Sequence, residues 1–156
     1  MTFVILVGII IALYIYINYI KVKNDEELGK IIKREKNFID EREIFSSKTL
    51  EWEEIKKSLD ELDLSEIKRL KVTKYDNYYK YSQDYVKYGW IAIFEYIGKS
   101  DNISRYQLYI SSYRNGGVEH YINMLFTAIE KMLIELDPDI EVRKEVIKRK
   151  TKRSFF

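Results

Sequence analysis

Cysteine is absent from the 156 residues, and there is one histidine and one proline. Without thiols there are no disulfides, thiolate nucleophiles, cysteine-ligated zinc, iron–sulfur clusters or cysteine-linked lipids. The redox compartment stays open, because a chain without cysteine suits either side of a membrane. The lone His120 excludes a multi-histidine metal site within one chain. Also missing are the glycine-rich phosphate loops, the nucleophile elbow and the acidic calcium loop. No catalytic residue, cofactor or metal ligand is therefore assigned. Charge is missing from one stretch only. Charged residues make up 33% of the chain, yet none precedes Lys21.

That uncharged stretch is the clearest feature present. Residues 2–20 read TFVILVGIIIALYIYINYI. At about 1.5 Å per residue they form a helix of roughly 28 Å, close to the hydrocarbon thickness of a bilayer. Phe3, Leu6, Ile10 and Leu13 supply apolar surface, and Tyr14, Tyr16 and Tyr19 gather at the C-terminal end, where amphipathic rings sit at headgroup level. A cleaved signal peptide would need a basic start and a small-x-small cleavage site, and neither is present. A buried core helix would need a polar face. Residues 1–20 are thus read as an uncleaved, single-pass transmembrane anchor. Lys21, Lys23, Lys30, Lys33, Arg34 and Lys36 follow it. By the positive-inside rule they place the rest of the chain on the cytoplasmic side of the cell membrane.

Residues 21–45 are densely charged, with Leu28, Ile31, Ile32, Phe38 and Ile39 at roughly helical spacing and Gly29 as the weak point. They are read as a helical stalk, because their mixed charge disfavours a helix lying on the membrane. An α+β domain is expected over residues 46–137. Ser46, Ser47 and Thr49 offer N-cap oxygens for a helix through about Asp63, with Leu50, Ile55, Leu59 and Leu62 on one stripe. Strands are expected at 70–76, 85–97 and 103–113, the last two joined as a hairpin through the turn Gly98–Asn102. Tyr106, Leu108 and Ile110 alternate with Arg105, Gln107 and Ser111, which describes a half-buried strand. A long helix over about 118–136 carries Ile122, Leu125, Phe126, Ile129, Met132, Leu133 and Leu136, and Pro138 ends it. The expected architecture is a small antiparallel sheet of about three strands packed by two helices.

Few residues suggest chemistry. His120 has Glu119 beside it, but adjacent helix positions point apart, so the pair is no catalytic dyad. Asp60, Glu61 and Asp63 read as a solvated helix face, and Asn102-Ile103-Ser104 as a chance glycosylation triplet. Two features stand out. Tyr75, Tyr78, Tyr79, Tyr81 and Tyr85 alternate with Lys71, Lys74 and Lys80, a pattern suited to a protein-binding patch or to ordinary sheet tyrosines. Within the tail, residues 138–156, the stretch from Arg143 onward is basic: Arg143, Lys144, Lys148, Arg149, Lys150, Lys152 and Arg153 against Glu145 give it +6. The whole chain carries +2, leaving −4 for residues 1–142. Such a tail suits anionic lipid headgroups, with nucleic acid as the weaker alternative.

The function expected from these features is that of a membrane-anchored, non-enzymatic protein-interaction module. Accessory components of secretion systems and immunity partners of toxins are proteins of this plan. A membrane-tethered enzyme is the less favoured reading, since it would have to work with carboxylates, tyrosine, lysine and serine around at most one histidine.

Overall fold

The first 26-residue element follows directly from the uncharged run. In the computed structural model, which describes residues 2–35, 37–84, 89–114 and 119–147, helix α1 spans Thr2–Glu27. Its segment Ile5–Glu27 is long and apolar enough to cross a membrane, reaching about 35 Å at helical rise. The helix closes with two crossed bonds, from the Lys30 N–H to the Asp25 carbonyl (2.8 Å) and from the Gly29 N–H to that of Glu26 (3.0 Å). Gly29 takes φ 68, a conformation that only glycine adopts without cost.

This cap overturns the expected helical stalk. The helix ends at Glu27, a 3-10 turn occupies Phe38–Asp40, and Glu41–Ser47 is a strand, β1. Within EREIFSS the residues Glu43, Phe45 and Ser47 alternate inward, and this period of two was masked by charge. The contacts divide the chain into two compact units, Met1–Lys33 and Arg34–Phe156.

The second unit is an α+β domain with six strands, where about three were expected. After β1 come α2 (Trp52–Glu61), β2 (Lys71–Lys74), β3 (Tyr78–Asp84), β4 (Gly89–Ser100), β5 (Ile103–Arg114), α3 (Glu119–Leu136) and β6 (Glu141–Val146). All pairings are antiparallel, in the order β2-β3-β4-β5-β1-β6. The β4–β5 hairpin turns on two residues, Asp101 and Asn102, at φ 52 and 64. Positive φ at both centres is the tight turn that matches strand twist, and Asn and Asp tolerate it better than other side chains.

Strand β6 corrects the reading of residues 138–156 as a tail: Arg143 stands opposite Ile44 and Lys144 opposite Glu43 in the ladder with β1. It was hard to see because an edge strand bears charge on both faces, as edges commonly do. Helix α2 starts at Trp52 with Glu51 before it and no side-chain cap. Ser47, read as a cap, instead ends β1. Its hydroxyl accepts from the Thr49 and Leu50 N–H groups (3.1 and 3.0 Å) and donates to Asp137.

Both helices cover one face of the sheet. Trp52, Ile55 and Leu59 of α2 and Ile122, Leu125, Phe126, Ile129 and Leu133 of α3 are buried. They face Phe45, Tyr79, Tyr81, Trp90, Ala92, Phe94, Tyr106, Leu108 and Ile110 of the strands, all buried too. Three polar tips within this layer are satisfied locally. The Tyr106 hydroxyl donates to the Leu50 carbonyl (2.7 Å), the Trp90 indole to Gln83 (2.9 Å) and the Trp52 indole to the Asp76 carbonyl (2.7 Å). Each large side chain buried here stabilises the domain by about 1.5–3 kcal/mol relative to exposure.

Candidate interaction face

The strands that bury one row of side chains present the alternate row on the opposite side. Across the sheet Tyr78 stands opposite Glu95, Glu95 opposite Gln107, and Gln107 opposite Ile44. The next exposed row runs Lys80, Ile93, Tyr109, Arg42 and Glu145. A shallow depression on this side is lined by Tyr75, Tyr78, Lys80, Ile91, Ile93, Glu95, Tyr109 and Ser111, all from the β2–β5 region of the sheet. Antiparallel sheets that face water usually alternate to plainly polar residues. Here the centre is isoleucine and tyrosine.

Its geometry is well defined. The rings of Tyr75 and Tyr78 stack at 4.2 Å with 13° between planes, held where the Tyr75 N–H meets the Tyr78 carbonyl at 2.9 Å. Tyr75 remains 44% exposed. Polar groups frame the apolar centre and restrain one another. Gln107 donates to Glu95, and the Arg42 guanidinium holds Glu145 with bonds of 2.6 and 2.9 Å and reaches Gln107 at 3.4 Å. Burial, and after it the charge of Glu95, pushes the Tyr109 phenol above its ordinary pKa. Desolvation first, then neighbouring Tyr75, does the same to Tyr78. Both phenols are therefore neutral at physiological pH. They offer flat apolar area with a polar tip, the combination that favours tyrosine at interfaces.

The tyrosine patch expected from sequence is split by the pleat. Tyr75 and Tyr78 lie on the open side, whereas Tyr79 and Tyr81 are 2% and 1% exposed, so the reading of all of them as a partner surface is corrected. The physical reason is the two-residue period of β3: Tyr79 meets the Trp52 ring edge to face and stacks beside Tyr81, and its hydroxyl donates to Asp60 at 2.7 Å. Asp60 also receives Lys74 at 2.7 Å, which with Tyr79 holds its carboxyl below the ordinary range. Tyr85 lies outside the described residues, as do Lys148, Arg149, Lys150, Lys152 and Arg153. Leu6, Ile10, Leu13, Tyr14, Tyr16 and Tyr19 are exposed along α1, and Phe3 falls within the same helix.

Sequence reasoning missed Ile91, Ile93, Tyr109 and Arg42 as members of one surface. The available signal was the apolar run from Trp90 to Phe94, which is apolar on both faces and so predicts something on both. Among the described residues no group of three or more His, Asp or Glu side chains is placed to hold a metal ion. Comparison of the chain with protein-family models and with curated proteins finds no match.

Proposed function

We propose that this chain is a single-pass membrane protein whose α+β domain binds another protein through the helix-free face of its sheet. The observation behind the reading is the Tyr75–Tyr78–Ile91–Ile93–Tyr109 surface, apolar at its centre, framed by restrained polar groups and lined by residues of β3, β4 and β5 and of the β2–β3 turn. Rigid aromatic rings lose little entropy on docking, and a polar rim sets orientation. The role is non-enzymatic, of the accessory or immunity type. Helix α1 supplies the anchor, and Lys21 and Lys23 in its C-terminal part, with Lys30 and Lys33 beyond it, favour a cytoplasmic domain in the cell membrane. Anchoring raises the local concentration of such a module, so that a modest interface suffices.

The test is capture of the partner from detergent-solubilised membranes by tagged wild-type protein and by Tyr78→Ala and Ile93→Asp variants. Loss of a specific co-purifying protein, with melting temperatures within a few degrees of wild type, supports the reading. Unchanged capture by both variants sinks it. A single cysteine at Ser100, exposed at the end of β4, reports sidedness through a membrane-impermeant maleimide. Labelling only after lysis fits the proposed topology, and labelling in intact cells reverses it.

A further inference from the structure

Beneath the sheet, away from the proposed binding face, one arginine is shared by two buried carboxylates. The Arg34 side chain is 1% exposed; it donates to Glu43 of β1, to Glu130 of α3 at 2.6 Å and through Nε to Asn123 of α3 at 2.9 Å. The rings of Phe38 and Phe126 lie 5.7 and 5.4 Å from its guanidinium, so no water screens these charges from those sides. Glu43 is 3% exposed in its side chain, and its Oε2 is a buried oxygen without a hydrogen-bond partner among the described residues. Its neighbour in β5 is the apolar Leu108, and in β6 it is Lys144, whose ammonium stands 3.6 Å from Oε1 and is 46% exposed.

The charges do not balance inside. One guanidinium cannot neutralise two carboxylates, and an unpaired buried charge is costly. Two cations can complete the site. A proton on Glu43 would satisfy the orphaned Oε2, and Lys144 can reach the same carboxylate from the solvent edge. We propose that Glu43 is a proton-controlled clasp, exchanging a proton held between Glu43 and Glu130 for the Lys144 ammonium of β6. In the protonated state Lys144 is free to face solvent, and in the ionised state it is drawn onto Glu43, fastening β6 at that point. Burial is the main cause that lifts the Glu43 carboxyl to about 7, against the pull of Arg34 and Lys144 and with the push of Glu130. The exchange therefore falls in the physiological range.

The clasp has a signature that a merely structural cluster lacks, because the two charged neighbours act on Glu43 in opposite directions. The experiment is a carbon-detected NMR titration of the glutamate carboxyls in the full chain, held in detergent micelles, from pH 5 to pH 9. Wild-type Glu43 should titrate near 7. Glu130→Gln should lower that midpoint by about one pH unit or more, since the like charge is gone. Lys144→Gln, on an exposed strand edge, should raise it. A wild-type carboxyl that titrates in the ordinary glutamate range, or a Lys144→Gln midpoint at or below wild type, overturns the proposal. If Glu130→Gln does not fold, the wild-type and Lys144→Gln titrations decide the matter between them.

Discussion

Two sides of one sheet, built from the same residue types, have opposite fates. Tyr78 and Tyr79 are adjacent in sequence. One stacks on Tyr75 at the open face and the other lies buried beside Trp52. Ile93 is half-buried on the helix-free side, while its neighbours Ala92 and Phe94 are fully buried under the helices. Composition does not separate these positions. Pleat and register do, because successive side chains on a strand point to opposite faces. In a tyrosine-rich strand, whether a ring serves packing or binding is decided by parity.

This comparison can be broken most directly on the covered side. Trp90→Ala or Phe94→Ala should cost about 3–5 kcal/mol in urea unfolding, because both leave large cavities in a layer that cannot collapse around them. A loss below about 1 kcal/mol would show that the helices do not pack there as described.

The next effect is in pH. The Glu43 carboxyl is raised from 4.5 to about 7 in the folded domain. The folded state then holds the proton more tightly than the unfolded state does between those values. Stability should thus fall as pH rises from about 4.5 to about 7, and level off above. Glu43→Gln should flatten that limb in thermal melts. An acid limb of opposite sign comes from Asp137, whose carboxyl is held below its usual range by the Ser47 hydroxyl first and also by Thr49 and the Asp139 N–H. Its contribution is lost as pH falls through the folded value, and Asp137→Asn should weaken that limb.

Smaller effects sharpen the contrast at single atoms. The Tyr79 hydroxyl donates to Asp60, so Tyr79→Phe should cost about 1 kcal/mol. The Tyr81 hydroxyl is buried without a hydrogen-bond partner among the described residues, and Tyr81→Phe should be neutral or stabilising by up to about 1 kcal/mol. Equal losses from the two changes would contradict the hydrogen-bond assignment. Smallest of all, Tyr78→Ala on the open face should cost about 1 kcal/mol or less, from lost stacking with Tyr75. A larger loss of stability would make Tyr78 part of the core and remove it from the proposed interface.

How much was legible beforehand depended on how strongly one period dominated each segment. Helix α3 shows its apolar stripe from Ile122 to Leu133 without interruption, and the β4–β5 hairpin joins an apolar run to a clean alternation through Asp101-Asn102. The helix and the pairing of the hairpin were read correctly, although β4 runs on to Ser100 through the turn expected to start at Gly98. Strand β3 was not expected, and neither were β1 and β6. Their sequences, EREIFSS and EVRKEV, mix charge into both faces, so helical and extended readings compete on equal terms. Arg34 was counted only among the basic residues that follow the anchor, and no sequence pattern singled out Glu43 or Glu130. They meet only because β1, α3 and the segment before the 3-10 turn converge.

By itself the sequence determined the apolar helix α1, the hairpin and α3, since each rests on local periodicity or on turn chemistry. Only tertiary structure decided which tyrosines became core, that charged segments on either side of the domain pair as β1 and β6, and that a buried carboxylate faces both a proton and a lysine. Those outcomes depend on contacts between residues tens to about a hundred positions apart, and no local pattern encodes such neighbours.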